Sequence, residues 1–113
     1  MKQLTVIVNE ALEEVKGENI ITLDVTDITA VMDTVIVVSG STNRQVKALS
    51  NAVIEASKKA GFQPLGVEGM DGGEWVLVDL IDVVVHIMQP AVRDFYELEK
   101  LWSVRPNDTV VGN

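Results

Sequence analysis

The sequence predicts one α/β domain in which helices flank a mixed β-sheet. Apolar residues recur first with the helical period and then as short strand-like runs, and this change of period repeats along the chain. The chain has 113 residues, of which 47% are hydrophobic, and this is enough to bury one core. Two junctions between predicted strands are too short for the crossover that parallel strands require, so a wholly parallel sheet is not expected.

The first predicted element is an amphipathic helix that begins near Leu4 and stops at Gly17. Glu10, Glu13 and Glu14 lie on the side opposite to its apolar residues, which recur at helical spacing. This pattern is typical of a helix that packs one face against a core. The apolar residues are Leu4, Ile7, Val8, Ala11, Leu12 and Val15.

Two strands, at residues 19–25 and 34–39, precede a second helix. The run at 34–39 is nearly all apolar, as expected of a strand that is covered on both faces. The turn that follows offers three candidate helix caps, because a side-chain oxygen can accept a hydrogen bond from an unpaired amide at a helix start. The second helix ends at Gly61. The candidate caps are Ser41, Thr42 and Asn43.

The second half of the chain predicts an antiparallel hairpin. A short strand within residues 64–69 enters a glycine-rich turn at 69–73. Two further strands, at 74–80 and 82–88, are separated by a turn at Ile81 and Asp82, which leaves room only for a hairpin connection.

The last predicted helix begins at Gln89 and Pro90, since proline is favoured in the first turn, and runs to about Trp102. On a helical wheel one apolar stripe is expected to face the core, and Tyr96 points well away from it. These elements define a domain at residues 1–102 and a flexible tail at 103–113. The stripe consists of Ala91, Phe95, Leu98 and Trp102.

The composition excludes several functional classes. The formal net charge of −8 weighs against nucleic-acid binding, which needs a basic face, and favours a basic partner instead. The lack of cysteine excludes a thiol nucleophile and a thiolate metal site, and the single histidine excludes a two-histidine zinc site within one chain. No apolar run is long enough to span a membrane, and the N-terminus has no targeting pattern, so the expected compartment is the cytoplasm.

A catalytic site is the alternative interpretation. Gly40 and Ser41 follow a strand, as a Gly-Ser turn does in nucleotidyltransferases, but those enzymes also need an Asp-x-Asp for metal, and none occurs here. The nearest aspartate pairs, Asp24 with Asp27 and Asp79 with Asp82, are three residues apart, whereas residues on one face of a strand are two apart. A magnesium-dependent nucleotidyltransferase therefore remains only the alternative. The chain is predicted not to be an enzyme and to bind no cofactor or metal.

Two further features have structural interpretations. The glycines at 66–73 are not followed by Gly-Lys-Ser/Thr or by a helix, so they are interpreted as a hairpin entry and not as a phosphate loop. His86 shares a strand face with Val84 and Met88, which is typical of a packed, hydrogen-bonded histidine. A pH-sensitive contact and a catalytic role are the alternatives for His86.

Aromatic and acidic residues together favour a protein-docking surface. Trp75 alternates onto one strand face with Leu77 and Asp79, and Tyr96 lies off the predicted core stripe. Tryptophan and tyrosine are frequent interface anchors, and carboxylates around them would steer a basic partner. The alternative is that Trp75 belongs to the core and that Tyr96 is an incidental surface residue.

Several linked segments resemble the signatures of the ribosomal silencing factor family, the Iojap-like proteins. The similarity extends from about Leu4 to Trp102. It implies a fold related to nucleotidyltransferases, without known catalysis. It also implies docking on the large ribosomal subunit, at the large-subunit protein numbered fourteen in the standard naming. This protein lies at the face where the small subunit joins, so the bound factor blocks joining. The similar segments are residues 33–46, 68–69, 74–79, 82–88, 93, 95–96 and 98–102.

The same resemblance implies a biological role and a set of contact residues. Translation would be repressed, especially when nutrients are short, and organellar relatives have a reported role in large-subunit assembly. Matching positions assign Trp75, Leu80 and Tyr96 as docking contacts. We add Asp79, Asp82 and Glu97 as acidic partners for a basic ribosomal protein. Self-association into a homodimer is a further alternative.

Overall fold

The structure, a computed structural model, describes residues 3–96, apart from the side chain of Tyr96. The predicted tail at 103–113 and the end of the last predicted helix lie outside the described residues, as do Glu97, Leu98 and Trp102. Every predicted element that falls within the described part is observed, with bounds that differ by a few residues. In chain order the elements are α1 Leu4–Glu14, β1 Glu18–Asp24, β2 Thr34–Ser39, α2 Asn43–Lys59, β3 Gly66–Glu68, β4 Trp75–Asp79, β5 Val83–Met88 and α3 Pro90–Tyr96.

The five strands form one mixed sheet in the order β1-β2-β5-β4-β3. Only β2 and β5 are parallel, in a register that runs from Thr34 opposite Val83 to Ser39 opposite Met88. The other three pairs are antiparallel, including the predicted β4–β5 hairpin. The α/β class and the mixed sheet that the sequence predicts are therefore confirmed.

Helices α1 and α2 cover one face of the sheet and form the main core. The apolar stripe of α1 contributes Leu4, Val8 and Leu12, and α2 contributes Val46, Leu49 and Val53. These side chains pack against the inward residues of β2, β4 and β5. The amphipathic pattern of both helices thus buries one apolar stripe on each, as their sequences predict. The inward strand residues are Ile36, Val38, Val76, Val78, Val83, Val85 and Ile87.

A second, smaller cluster covers the other face of the two central strands. Val35, Val37 and Met88 are buried there beneath Met32 of the β1–β2 connection and Val92 of α3. Because β2 and β5 are covered on both faces, their sequences are apolar runs with little alternation. Within the part of the chain that the structure describes, no helix is long and apolar enough to cross a membrane.

The predicted core stripe of the last helix is wrong at its two described positions. Ala91 is exposed, and Phe95 leaves 79% of its surface in solvent. The helix is instead docked through Val92 and Arg93. Arg93 is only 6% exposed, and its Nη1 donates a hydrogen bond of 2.8 Å to the buried Oγ of Ser39 at the end of β2. The buried face of the helix thus includes a hydrogen-bonded arginine, which apolar spacing alone does not reveal.

The β4–β5 turn holds an isoleucine in an unfavourable backbone conformation. Ile81 has φ +77°, a region that β-branched residues rarely adopt, and 55% of its surface is exposed. The carboxylate of Asp79 accepts a hydrogen bond of 2.8 Å from the Ile81 amide, and the Asp82 amide donates to the Leu80 carbonyl. These bonds within the turn hold the residue in place despite its strain.

We expect Ile81→Gly to stabilise the fold. A left-handed conformation costs a side-chain-bearing residue about 1–2 kcal/mol, and the greater freedom of glycine in the unfolded chain offsets only part of the gain. The free energy of unfolding should rise by about 1 kcal/mol in urea titrations. Leu65→Gly is the control, because Leu65 is also exposed but has negative φ, and it should be neutral or destabilising. Equal losses in the two variants would contradict the assignment of strain to Ile81.

Candidate docking surface

Trp75 begins β4 and is held to the sheet by a hydrogen bond. Its indole Nε1 donates to Nδ1 of His86 at 3.2 Å, and the ring centroids are 6.1 Å apart with a tilt of 46° between the planes. The two residues share a sheet face because Leu77, two positions after Trp75, lies directly opposite His86. Trp75 is half-buried, so part of the indole packs on the sheet and part remains open to a partner.

His86 lies in the middle of an entirely buried strand. It is 7% exposed, with Val37 opposite it on β2 and Leu77 opposite it on β4. Burial disfavours the charged imidazolium and lowers the pKa of His86 from 6.5 to about 4. The imidazole is therefore neutral at pH 7, and the sequence-based interpretation of a packed, hydrogen-bonded histidine is confirmed.

A shallow pocket lies beside Trp75. Its volume is about 290 Å³, and it is lined by Glu68, Gly69, Trp75 and Leu77. Glu68 is exposed, so a carboxylate stands next to a half-open aromatic and an aliphatic side chain. This combination suits an apolar group with a neighbouring positive charge, as on the surface of a basic protein. Glu68 was not among the sequence-predicted site residues, although its acidity and its nearness to Trp75 in the hairpin could have suggested it.

Gly69 fixes the backbone that approaches Trp75 in this pocket. It has φ +90°, and a Cβ placed there would lie 2.1 Å from the carbonyl oxygen of Trp75. Only glycine allows so close an approach together with that backbone conformation. The glycine-rich turn, which the sequence indicates to be a hairpin entry, therefore allows the chain to pass close to the main chain of the candidate anchor Trp75.

The hairpin turn carries three other predicted site residues, with different exposures. Asp82 is exposed, and Asp79 is half-exposed. Leu80 is only 4% exposed and belongs to the main core, as the alternation with Val76 and Val78 requires. The apolar side chain that the turn presents to solvent is Ile81. The sequence did not predict this exposure, because the spacing of apolar residues does not indicate the positive φ that turns Ile81 outward.

The structure groups the described site residues at two ends of one strand. Trp75, Leu77 and Asp79 lie on the same face of β4, and Trp75 is about 13 Å from Asp79 along the strand. Leu80 and Asp82 follow at the Asp79 end. Tyr96 is the last described residue of α3, and its side chain, like Glu97, lies outside the described part. The docking assignment of all six residues stays a prediction.

The features that suggested a transferase do not converge. Asp24 lies opposite Thr34, at the start of β2, and Asp79 lies at the same end of the sheet. Gly40 follows the other end of β2, about 20 Å away. Among the described residues there is also no group of three or more histidine, aspartate or glutamate side chains that could hold a metal ion.

The fold and this surface define a class of small α/β proteins whose candidate site is an aromatic, acidic face on a mixed sheet. Residues 1–112 match the family model described as "Ribosomal silencing factor during starvation". The chain belongs to the ribosomal silencing factor family.

Individual relatives agree with this assignment. The chain is 47% identical to "Ribosomal silencing factor RsfS" of Chromobacterium violaceum, over 99% of this chain and 92% of that protein. A crystal structure of a Chromobacterium violaceum protein superimposes with a TM-score of 0.88 at 50% identity, covering 90% of this chain and 85% of that one. A mouse protein named "Mitochondrial assembly of ribosomal large subunit protein 1" is 35% identical over 67% of this chain, which corresponds to 35% of the mouse protein.

Proposed function

We propose that this protein binds the large ribosomal subunit through the interface ribosomal protein, the fourteenth in the standard naming, and sterically blocks joining of the small subunit. Translation is thereby repressed in the cytoplasm, particularly under nutrient limitation, and no chemical reaction takes place. Membership of the ribosomal silencing factor family supports the ribosomal partner. The observation that carries the choice of surface is the half-open Trp75 indole, fixed by His86 beside the acidic rim of a pocket.

The proposed contacts combine aromatic anchors with carboxylates. Trp75 and Tyr96 are the anchors, and Asp79, Asp82 and Glu97 are the partners for basic side chains. Large aromatic residues contribute strongly to interfaces because they bury a wide area with few rotatable bonds. The carboxylates raise the association rate with a positive surface. They also keep the factor away from exposed RNA phosphates.

Leu80 enters the proposal in a different way from the other contacts. Since only 4% of it is exposed, it offers little surface to a partner while the hairpin keeps this conformation. Its packing in the main core holds the turn between Asp79 and Asp82 in position. We therefore propose that Leu80 contributes to docking chiefly by supporting that turn.

A steric mechanism matches the size of the domain. Its principal extents are 41 × 33 × 21 Å, so a bound copy separates two surfaces that must otherwise meet directly. Blocking then depends only on occupancy. Each tenfold excess of free factor over its dissociation constant opposes joining by about 1.4 kcal/mol.

A role in large-subunit assembly is a second candidate. The name of the mouse relative refers to assembly of the mitochondrial large subunit, and that protein is 35% identical to this chain over 67% of its length. Docking on the same ribosomal protein would serve both roles. Self-association is a third possibility for the exposed apolar residues, and light scattering of the purified chain measures it directly.

Co-sedimentation with separated ribosomal subunits tests the proposal. The protein should travel with large subunits and not with small ones, and it should lower the peak of joined ribosomes when both are present. Higher salt should weaken binding, because the proposed contacts are partly ionic. Failure to bind large subunits, or measurable turnover of a nucleotide with magnesium, would overturn the proposal.

We expect Trp75→Ala to weaken binding to the large subunit about 30-fold, or roughly 2 kcal/mol, because it removes a central anchor. Binding of labelled protein to large subunits gives the dissociation constant, and circular dichroism checks the fold. Val6→Ala is the control, since Val6 is 42% exposed on α1, across the sheet from Trp75. Unchanged binding by a folded Trp75→Ala protein would reject this surface.

A further inference from the structure

A buried histidine at the centre of an apolar strand calls for a physical reason. His86 is the only histidine in the chain, and its five neighbours in β5 are valine, isoleucine and methionine. A polar side chain in such a place is costly unless it is hydrogen-bonded. Its Nδ1 accepts a hydrogen bond of 3.2 Å from the indole Nε1 of Trp75.

The direction of this hydrogen bond determines which nitrogen of the imidazole carries the proton. An indole N–H can only donate, so Nδ1 of His86 must accept and carries no proton. The neutral ring therefore has its proton on Nε2. Protonation of Nδ1 would turn the acceptor into a second donor and break the bond. Its buried setting, which already disfavours a charge, maintains the tautomer that the indole needs.

The same hydrogen bond restricts the orientation of the Trp75 indole ring. The indole has one polar atom, and its hydrogen bond to the fully buried strand β5 favours one orientation of the ring relative to the sheet. Trp75 also packs against the smaller cluster on its face of the sheet, and it lies half-buried at the start of its strand beside the pocket lined by Glu68 and Leu77. A side chain that is already ordered before binding loses less conformational entropy on docking.

We propose that His86 is a positioning residue for docking: it holds the Trp75 indole, before any partner is bound, in the orientation that the partner meets. The inference rests on the proposed function, because it assumes that Trp75 is the anchor. His86 itself is too buried to contact the partner. Its effect on affinity must therefore be transmitted entirely through Trp75.

A double-mutant cycle between the two residues tests this transmission. His86→Leu removes the acceptor, and we expect it to weaken binding to large subunits about tenfold. His86→Asn places an amide oxygen near the former Nδ1 and should restore binding to within about threefold. In the Trp75→Phe background, which has no indole N–H, His86→Leu should change the affinity by less than about twofold.

Nitrogen-15 NMR supplies readouts that do not depend on the ribosome. Trp75→Phe identifies which of the two tryptophan indole signals belongs to Trp75. That signal should shift in His86→Leu and stay near its original position in His86→Asn. The single histidine should show its proton on Nε2 at neutral pH. A proton on Nδ1 would overturn the inference even if every His86 variant failed to fold.

The outcomes separate this inference from the proposed function. If Trp75→Ala weakens binding but His86→Leu does so equally in both backgrounds, His86 is merely structural and the docking proposal survives. If His86→Leu leaves binding intact while the indole signal shifts, positioning is also rejected. If Trp75→Ala has no effect on binding, the docking surface and the positioning role fall together.

Discussion

Gly69→Ala should destabilise the protein by about 4 kcal/mol and lower its melting temperature by roughly 15 °C. An added Cβ would lie 2.1 Å from the Trp75 carbonyl oxygen, which is more than about 1.2 Å closer than an ordinary carbon–oxygen contact. The obstacle is backbone, which cannot rotate away as a side chain can. The left-handed conformation contributes about 1–2 kcal/mol, and the forced displacement contributes the rest.

Gly61→Ala is a matched control for the conformational part of this effect. Gly61 has φ +92°, almost the same as the +90° of Gly69, but a Cβ there meets nothing within 4 Å. Its substitution should therefore cost only about 1 kcal/mol. Gly73 is intermediate, with φ +72° and its nearest contact the end of the Lys47 side chain at 3.0 Å. In thermal unfolding, Gly69→Ala should lose the most stability, Gly73→Ala an intermediate amount and Gly61→Ala the least. Equal losses for Gly61→Ala and Gly69→Ala would refute the steric explanation.

The same substitution should also affect docking. The displaced group is the main chain of Trp75 itself, so any folded fraction of Gly69→Ala will carry a shifted indole. We expect its binding to large subunits to be weaker than that of Gly61→Ala under conditions where both proteins are folded. The glycine-rich turn thus links fold stability to the geometry of the proposed anchor.

The strands show how far sequence patterns can go. The apolar run at 34–39 correctly predicted the bounds of β2, and the short Ile81-Asp82 junction correctly predicted the hairpin. Both follow from local rules, since strand burial sets the apolar pattern and a short junction permits only antiparallel pairing. The parallel pairing of β2 with β5 could not be derived in this way, because it joins segments that are far apart in sequence.

The last helix shows where the same patterns fail. Its apolar residues predicted a core stripe that included Phe95, whereas the structure buries Arg93 and exposes Phe95. A wheel of apolar residues assumes that only hydrophobicity determines the buried face. Here the acceptor is Ser39, more than fifty residues earlier in the chain, and a guanidinium can be buried when it is hydrogen-bonded.

The candidate site was predictable in its residue types but not in its arrangement. Alternation correctly placed Trp75, Leu77 and Asp79 on one face and Leu80 on the other. The Trp75–His86 hydrogen bond required knowledge of the strand register, which the sequence does not specify. The choice of Trp75, Leu80 and Tyr96 as contacts came from the family resemblance and awaits the binding measurements.

The single histidine should make stability depend on pH between about 4 and 6.5. Burial lowers the pKa of His86 to about 4 in the folded protein, whereas the unfolded chain binds this proton with a pKa near 6.5. Within that interval the unfolded state binds more protons, so stability rises with pH. The contribution is fully present above pH 6.5 and is lost as the pH falls toward 4. It amounts to about 3 kcal/mol, a large share of the 5–15 kcal/mol typical of a domain.

Two measurements isolate the contribution of His86 from that of the rest of the chain. The NMR signal of the imidazole proton Hε1 reports on one unambiguous group, because the chain has one histidine. The midpoint of its pH titration should lie near pH 4. Urea unfolding at pH 7 and pH 4.5 should show a larger loss of stability for the natural chain than for His86→Asn, in which the amide does not titrate. A midpoint near 6.5, or parallel losses in the two proteins, would mean that the imidazole is not buried as a neutral acceptor. The indole of Trp75 would then lack the fixed partner on which its orientation depends.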